Sequence, residues 1–300
     1  MIIKVYHKAF DFSSLFDTIH IMPNILDGRK IAGKIKKRLA LKVKRLKNKP
    51  TLAVVYVGSD PASLSYIMAK EKAAKEIGVD FLFYKLPNKS SGKKVIGLIH
   101  RLNQNEKVSG IIVQLPLPAH LPKKEILNAI VPEKDVDVLS DGSRKKFEKG
   151  EPAFIPPPAG AVLEFLKTAK RPLEKSTVVV VGRGMLVGEP VAMLLKQRAK
   201  RLIICDRKTK NLSIETKKAD ILISAVGKPN LIKKEMVKKG AVVIDAGTAK
   251  YKGKIVGDVD FADVSPKTSY ITPVPGGVGP VTVAMLLANA VKAAKKAVSP

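Results

Sequence analysis

The sequence predicts an α/β fold built from two domains, and three observations lead to this prediction. Strand-like and helix-like segments alternate along most of the chain, which is typical of βαβ units and a parallel sheet. A length of 300 residues is enough for about two domains. A run of valines at 178–181 leads directly into a glycine-containing turn at 182–188, which indicates a buried strand followed by a nucleotide-binding helix. More than half of the chain precedes this turn, so a separate substrate domain is expected there.

The first half begins its regular pattern with a lysine-rich amphipathic helix at residues 31–46. The residues expected to face inward from this helix are Ile31, Ile35, Leu39 and Val43. Strands are then predicted at 51–58, 79–86 and 110–117. The helices predicted after these strands lie at 62–77, 94–103 and 123–130.

A break in the pattern is predicted at 141–158, where glycine, proline and charged residues are concentrated. A helix at 161–168 is expected to lead from this break into the second half. The alternation then resumes with helices between strands at 177–181, 202–205, 221–225 and 242–246. After a loop at 273–280, an apolar helix is predicted at 281–295.

We therefore predict an N-terminal α/β substrate domain and a C-terminal Rossmann-like nucleotide domain. The first is assigned residues 22–160 together with 280–300, because the last helix is expected to return to it, and the second is assigned residues 161–279. Met22 is a second plausible start, so residues 1–21 are an extension that is either a misassigned start or a genuine arm.

The charge balance is strongly basic, with 55 lysines and arginines against 26 acidic residues and a net charge of +29. Nucleic-acid binding is one interpretation of this charge. A solvated lysine-rich surface is favoured, because the basic residues are spread over the whole chain and aromatic residues make up only 5%. No apolar stretch approaches the ~20 residues of a membrane span. The single cysteine, Cys205, excludes an intrachain disulfide and fits a reducing cytoplasm.

The turn after the valine strand is one residue longer than the usual dinucleotide-binding fingerprint. Asp206 ends the next predicted strand, where a ribose-binding acid belongs, although an aspartate there also fits an ordinary turn. Arg183 and Arg207 would pair with the 2′-phosphate of NADP, whereas Asp206 would repel it and favour NAD. The candidate cofactor-binding residues are Gly182, Arg183, Gly184, Gly188, Asp206 and Arg207.

Polar side chains of the first half stand where a ligand could bind. Tyr66 and Lys70 are four residues apart and share one face of a predicted helix. Gln114 ends a predicted buried strand at the carboxyl edge of the sheet, where ligands of open α/β sheets bind. Asp137 belongs to a polar segment that follows another predicted helix. Each feature by itself is also compatible with an ordinary surface or loop.

Together these features resemble one family, the bifunctional methylenetetrahydrofolate dehydrogenase / methenyltetrahydrofolate cyclohydrolases. The resemblance covers about residues 25–296. The shared motifs are the spacing of Ser63, Tyr66 and Lys70, VQLPLP at 113–118, PEKDVD at 132–137, VVGR at 180–183 with VGEP at 187–190, VGDVDF at 256–261 and ITPVPGGVGP at 271–280. The last motif is highly specific, and the longer glycine turn is the family's own form.

The resemblance implies oxidation of 5,10-methylenetetrahydrofolate by hydride transfer to NAD(P)⁺ and hydrolysis of the methenyl product to 10-formyltetrahydrofolate. It implies that Lys70 is catalytic, that Tyr66 orients the folate and that Gln114 tunes the lysine. The residues implied to bind the substrate are Ser63, Asp137, Pro275, Gly276 and Gly277, with Asp137 holding the pterin. One-carbon metabolism leading to purine biosynthesis and a cytoplasmic homodimer are also implied. We expect no metal, membrane or specific nucleic-acid partner.

The chain departs from the family pattern in several places near the cofactor and the loop that joins the domains. The departures are Val138 for a glycine, a missing His-Pro or Asn signal at 140–144, three prolines at 156–158 for Pro-Cys-Thr-Pro, Gly184 for a serine, and Asp206-Arg207 for His-Ser. We expect both activities, with NADP somewhat ahead of NAD because Arg183 and Arg207 are cationic. The alternatives are another two-domain NAD(P)-dependent dehydrogenase, a cyclohydrolase with weakened dehydrogenase activity, and a nucleic-acid binder without catalysis.

Overall fold

The structure is a computed structural model that describes residues 24–296, so the predicted extension at 1–21 lies outside the described residues. The first elements are a two-residue strand, β1 (Asn24–Ile25), and helix α1 (Gly28–Val43). The elements that follow in the first half are β2 (Thr51–Val57), α2 (Pro61–Ile77), β3 (Asp80–Leu86), α3 (Gly92–Gln104), β4 (Gly110–Val113) and α4 (Lys123–Asn128).

The middle of the chain contributes two helices, α5 (Asp141–Glu148) and α6 (Pro157–Ala169). The elements of the second half are β5 (Thr177–Val181), α7 (Gly188–Leu195), β6 (Arg201–Cys205), α8 (Leu212–Thr216), β7 (Ile221–Ser224), β8 (Val242–Asp245), β9 (Ala249–Tyr251), β10 (Lys254–Val256), α9 (Phe261–Val264), β11 (Tyr270–Ile271) and α10 (Val278–Lys296). Short 3₁₀ turns lie at Leu173–Lys175, Lys234–Met236 and Ser265–Lys267.

Two parallel sheets organise the described chain. The smaller sheet has the order β3-β2-β4, with β2 paired in parallel to both neighbours. The larger sheet has the order β1-β11-β8-β7-β5-β6, again with parallel pairing throughout. Strands β9 and β10 form a separate antiparallel hairpin. The predicted α/β fold, with one parallel sheet in each half, is therefore confirmed.

The central strands of both sheets are buried over their whole length, as parallel sheets covered by helices require. Every residue of β2, β4, β7 and β8 is buried. Helix α1 buries Ile35, Leu39 and Val43 as predicted, whereas Ile31 is only half-buried and Ala32 is buried in its place. Within residues 24–296, no helix has both the length and the apolar character needed to cross a bilayer.

Helix α2 carries candidate residues, and the local sequence fixes both of its ends. Asp60 precedes the helix and accepts a hydrogen bond from the backbone N–H of Ser63 (2.7 Å). Such a cap stabilises a helix by about 1 kcal/mol. Gly78 ends the helix with a φ of 81°, a left-handed conformation that glycine adopts without strain. The register of α2 is thereby set, with Tyr66 and Lys70 on one face as predicted.

The structure corrects the break that the sequence predicts at 141–158. Helix α5 occupies the first part of this segment, because Ser140 accepts a hydrogen bond from the backbone N–H of Ser143 (3.2 Å) and Phe147 is buried. Helix α6 begins within the same segment at Pro157, which is tolerated in a first helical turn since its missing N–H has no partner there.

Other predicted elements are shorter or absent. The strand predicted to reach residue 117 ends at Val113, because prolines at 116 and 118 have no N–H to donate to a ladder. Between β7 and β8 a 3₁₀ turn replaces the predicted helix. The β9–β10 hairpin and the short strands β1 and β11 were not predicted, since two- or three-residue strands leave almost no alternating pattern to detect.

The two halves are connected at both ends of the described chain as well as in the middle. Strand β1 pairs with β11 of the larger sheet, although the sequence assigns residues from 22 onward to the first domain. Helix α10 packs against α1 and α6. Its Asn289 donates from Nδ2 to the carbonyls of Val136 and Ile155 (2.9 and 2.8 Å). The chain therefore passes between the halves more than once.

Candidate active site

A cavity of about 810 Å³ lies between the two halves. Its volume is within the range of ligand-binding pockets, roughly 300–1,000 Å³. The predicted site residues that line it are Tyr66, Lys70, Gln114, Asp137, Pro275, Gly276 and Gly277. The fold thus brings residues from α2, the end of β4 and the loop before α10 to one place.

Lys70 is held at the wall of this cavity by two neighbours. Its side chain is buried, with only 5% of the residue exposed. Its Nζ donates a hydrogen bond to Gln114 Oε1 (2.9 Å) and lies 4.5 Å from the centre of the Tyr66 ring. Gln114 Nε2 in turn donates to the carbonyl of Leu115 (2.6 Å), which keeps the amide oxygen directed at the lysine. The amine therefore faces a neutral amide and an aromatic ring.

Burial shifts the pKa values of Lys70 and Asp137 in opposite directions. Burial lowers the pKa of Lys70, and the charge of Asp137 partly opposes this shift. Burial raises the pKa of Asp137, with Lys70 lowering it and Asp135 raising it further. Both shifts favour the uncharged forms, so the cavity makes a neutral lysine amine more accessible than it is in water.

Tyr66 and Ser63 occupy different positions relative to the cavity. Tyr66 lines it, and desolvation of its hydroxyl together with the charge of Asp137 raises the pKa of that hydroxyl. The hydroxyl therefore stays protonated and can donate a hydrogen bond. Ser63 is buried in the first turn of α2 and is not among the residues that line the cavity. Its observed contact is the backbone hydrogen bond to Asp60.

The residue after Asp137 has an unusual backbone. Val138 has a φ of 58°, in the left-handed region, and is buried at the cavity wall. A β-branched side chain is strained in this region, whereas glycine is not. The glycine usual in the resembling family at this position therefore has a physical reason. In this chain the strain lies directly beside a carboxylate of the cavity.

The loop before α10 contributes its backbone to the cavity wall. A side chain at Gly28, the first residue of α1, would collide with the carbonyl of Gly277, because a Cβ there would lie 1.8 Å from that oxygen. Gly276 has a φ of 105° and lies near the guanidinium of Arg29. The glycines thus allow the loop to lie directly against the start of α1, which places its backbone at the cavity.

The turn between β5 and α7 has the geometry of a phosphate-binding loop. A Cβ at Gly182 would lie 2.4 Å from the carbonyl oxygen of Ala225, and one at Gly188 would lie 2.0 Å from the carbonyl oxygen of Gly182. Only glycine fits such close backbone approaches. No side chain caps the N-terminus of α7, and the space beside Gly184 is open. The turn therefore fits the phosphates of a dinucleotide cofactor.

The residues expected near the ribose contact one another. Arg183 Nη1 lies 3.7 Å from Asp206 Oδ2. Asp206 also accepts a hydrogen bond from the backbone N–H of Lys208 (2.8 Å), so it is both a turn residue and an ion-pair partner. Arg207 is exposed next to it. The structure therefore shows Asp206 as the turn residue that the sequence allows, and ribose binding by Asp206 stays a prediction.

Two buried carboxylates beside the cofactor turn were not singled out from the sequence. Asp245 accepts hydrogen bonds from the backbone N–H groups of Gly247, Asp258 and Val259, at 2.9, 3.1 and 2.8 Å. Asp258 accepts from Ser224 Oγ and from the backbone N–H groups of Val226 and Lys228. Burial raises the pKa of Asp245 to about 7. The motif at 256–261 contains Asp258 and was the only sequence signal noted for this cluster. The groups that donate hydrogen bonds to Asp258 lie at the end of another strand and in the loop after it, so the motif by itself does not predict the contacts.

These aspartates connect several loops by hydrogen bonds and do not form a metal centre. Among the residues that the structure describes, no group of three or more His, Cys, Asp or Glu side chains is arranged to hold a metal ion. The loops joined by Asp245 and Asp258 follow β7, β8 and β10, and they border the glycine turn through Ala225. The two aspartates therefore hold together the loops that border the glycine turn, and Asp245 also lines the cavity.

The fold and the cavity define a two-domain α/β enzyme, with a dinucleotide-binding half and a substrate pocket that contains a buried lysine. The model of the catalytic domain of tetrahydrofolate dehydrogenase/cyclohydrolase matches residues 26–137, and that of the NAD(P)-binding domain of the same enzymes matches residues 156–298. The chain belongs to the tetrahydrofolate dehydrogenase/cyclohydrolase family, as the sequence motifs predict.

Individual relatives match over nearly their whole length. The bifunctional protein FolD of Exiguobacterium sibiricum is 46% identical over 91% of this chain and 100% of that protein. The crystal structure of the bifunctional enzyme FolD from Campylobacter jejuni has a TM-score of 0.89 at 43% identity and covers 91% of this chain and 99% of that one. The Trypanosoma brucei enzyme, solved with NADP and an inhibitor, has a TM-score of 0.89 at 37% identity, covering 93% and 99%. The protein is a bifunctional NAD(P)-dependent methylenetetrahydrofolate dehydrogenase and methenyltetrahydrofolate cyclohydrolase of one-carbon metabolism.

Proposed function

We propose that both reactions of this enzyme take place in the cavity between its halves, with Lys70 as the catalytic residue of the hydrolysis. The observation that carries this proposal is the buried contact of Lys70 Nζ with Gln114 Oε1 (2.9 Å). An amide stabilises an ammonium group less than a carboxylate does, so burial lowers the pKa of Lys70 with little opposition from Gln114. An amine with a lowered pKa can accept a proton near neutral pH.

Hydrolysis of the methenyl bridge starts when water adds to the bridge carbon. Lys70 accepts the proton that the water loses as the carbon–oxygen bond forms. The bond from the bridge carbon to the ring nitrogen then breaks, and the hydroxyl proton of the adduct passes to that nitrogen, which leaves the 10-formyl group. The substrate thereby loses its positive charge, because Lys70 now holds the proton that the water lost. Lys70 finally releases this proton to water. A cationic substrate beside Lys70 lowers its pKa further.

The folate is held by several groups at the cavity. The carboxylate of Asp137 accepts hydrogen bonds from the amino and ring N–H donors of the pterin as a two-point contact. Tyr66 orients the ring with its protonated hydroxyl and aromatic face, and Ser63 supports the same pocket. Pro275, Gly276 and Gly277 also line the cavity and are proposed to contact the folate. The net charge of +29 attracts anionic groups of ligands over long distances.

Oxidation of the methylene group requires a hydride acceptor, and NAD(P)⁺ supplies this chemistry when bound. The residues proposed to hold it are Gly182, Arg183, Gly184, Gly188, Asp206 and Arg207. The uncapped start of α7 and the close glycine contacts support a phosphate position there. The chain's own contribution is to orient the folate for hydride transfer.

Replacement of Lys70 tests the proposed hydrolysis. Lys70→Met is expected to lose at least about 100-fold of the cyclohydrolase rate, since general-base catalysis contributes roughly 10²–10⁴-fold. The matched control is Lys75→Met on the exposed side of the same helix. Cyclohydrolase rates should be measured with cofactor-free enzyme, and binding of NADP should be measured by calorimetry to verify the fold. A Lys70→Met enzyme with near-normal hydrolysis would refute the assignment.

We further propose that NADP is preferred over NAD. Arg183 offsets the charge of Asp206 at 3.7 Å, and Arg207 adds a second guanidinium for a 2′-phosphate. Initial rates at equal concentrations of the two cofactors are expected to give the higher kcat/KM with NADP. Arg183→Gln should lower this value more for NADP than for NAD. A large advantage of NAD in the unmodified enzyme would mean that Asp206 dominates.

The wider setting follows the same proposal. The enzyme acts as a cytoplasmic homodimer, its 10-formyl product serves purine biosynthesis, and its basic surface has no specific nucleic-acid partner. The substrate domain comprises residues 22–160 with 280–300, and the nucleotide domain comprises residues 161–279. The single cysteine, which is buried and free, supports a reducing compartment such as the cytoplasm. A monomer mass in light scattering would overturn the dimer.

A further inference from the structure

We propose that Arg144 and Glu189 form a charge-compensating pair between the two halves, in which Arg144 is a positioning residue for cofactor binding. Arg144 lies on α5 of the first half, and Glu189 lies in the first turn of α7 in the second half. Arg144 Nη2 is 2.6 Å from Glu189 Oε2. The proposal rests on the cofactor position given above, because it concerns the charge at the phosphate end of α7.

The carboxylate of Glu189 stands next to the place where the cofactor's phosphates bind. It follows Gly188 directly, at the end of the glycine turn. Negative charge at a helix N-terminus is favourable by itself, but a carboxylate and a phosphate that share the same helix end repel each other and share the same dipole. An uncompensated carboxylate would therefore weaken the binding of a pyrophosphate.

Arg144 removes this conflict, since a guanidinium stays charged at all accessible pH values. The side chain of Arg144 is only 22% exposed and that of Glu189 is 38% exposed, so solvent screens the pair less than a pair on the open surface. Arg144 also lines the cavity itself. The cation of one half thus neutralises the anion that the other half places beside the cofactor.

The backbone of helix α5 is fixed in place around Arg144, so only the arginine side chain has to be ordered when the pair forms. The backbone N–H of Arg144 donates to the carbonyl of Ser140 (3.0 Å), the residue that caps the helix. The backbone N–H of Ser140 donates to the buried carboxylate of Asp135 (2.9 Å). Asn128 donates to the side chain of Asp141 in the first turn (3.0 Å). The guanidinium therefore projects from an anchored helix towards α7.

The test is a set of charge-neutralising variants: Arg144→Gln, Glu189→Gln, and the double variant. The dissociation constant of NADP⁺ should be measured by calorimetry without folate, so the result does not depend on the proposed catalytic roles. Arg144→Gln is expected to weaken binding on the order of tenfold, because it leaves a carboxylate beside the phosphates. Glu189→Gln should bind NADP⁺ as well as or better than the unmodified enzyme. The double variant should recover to within about threefold of it.

Lys146→Gln, on the same helix and paired with Glu133, is the matched control for the loss of a positive charge. Recovery in the double variant supports charge compensation. A double variant as weak as Arg144→Gln would overturn it, because Arg144 would then act without reference to Glu189. The cyclohydrolase rate of cofactor-free Arg144→Gln gives a second check. If this rate and the affinity for NADP⁺ fall by the same factor, the effect is structural and the proposal is overturned. Failure of the proposed hydrolysis would appear separately, as an unmodified enzyme that binds NADP⁺ but does not hydrolyse the methenyl substrate.

Discussion

The neutral amide of Gln114 distinguishes the surroundings of Lys70 from an ordinary buried ion pair. The amide oxygen accepts the lysine's hydrogen bond at 2.9 Å without adding a negative charge, and its own N–H groups are directed at Leu115. Asp137 is the charged group that opposes the lowered pKa of Lys70. At the residue scale, the protonation of one amine therefore depends on which neighbour is charged and which is neutral.

Gln114→Glu tests this dependence with a nearly isosteric change. A carboxylate at 2.9 Å stabilises the ammonium form and raises the pKa of Lys70, so less neutral amine is present at neutral pH. We expect the rising limb of the cyclohydrolase kcat/KM against pH to move to higher pH by about one unit or more. A uniform loss of rate with an unmoved limb would contradict the proposed tuning. Gln114→Asn shortens the side chain without adding a charge, so it measures the effect of losing the contact with Lys70 alone.

The sequence predicted most members of this site, whereas the extent of their burial is visible only in the structure. The spacing of Tyr66 and Lys70 placed them on one helix face, and Gln114 at a strand end placed it at the same sheet edge. The burial that lowers the pKa of Lys70 is produced by a fold that closes over it, which no local pattern contains. Val138 illustrates the same limit, since its φ of 58° appears only in the structure.

At the scale of elements, long periodic segments were predictable and short or locally ambiguous ones were not. Helix α2 and the buried strands β2 and β5 have strong local patterns. Helix α5 was not predicted, because Gly142 and the charged residues around it are typical of a loop. The helix is stabilised by the Ser140 cap and by the buried side chain of Phe147. The partners of Asp245 and Asp258 were missed because they join loops that follow different strands.

At the scale of the whole molecule, Asp245 links the stability of the fold to pH. Its pKa is raised from 3.8 to about 7, chiefly by burial, while three backbone N–H groups lower it and Asp258 raises it. The folded protein thus holds this proton more tightly than the unfolded chain. The corresponding stability is fully present below about pH 4 and is lost as pH rises through about 7.

Comparison with Asp245→Asn isolates this contribution. The free energy of unfolding of the unmodified protein, minus that of the variant, should fall between about pH 4 and pH 7, by up to about 1.4 kcal/mol per pH unit, and should then become constant. Urea unfolding at several pH values measures it. Asp260→Asn is the control, because the pKa of Asp260 is shifted in the opposite direction. The hydrogen bond from Lys233 lowers this pKa, so the contribution of Asp260 to the free energy of unfolding is lost only in acid. A constant difference for Asp245→Asn across this range would refute the linkage.

The position of β1 has a consequence for how the gene could be divided. A cut between residues 137 and 156, where the two family matches are separated, looks like a natural border. A polypeptide starting at residue 156 would nevertheless lack β1, leaving β11 as an open sheet edge. It would also expose the face of α10 that α1 covers. Open edges and uncovered apolar faces invite aggregation. The two halves are therefore expected to be inherited, exchanged and expressed as one unit.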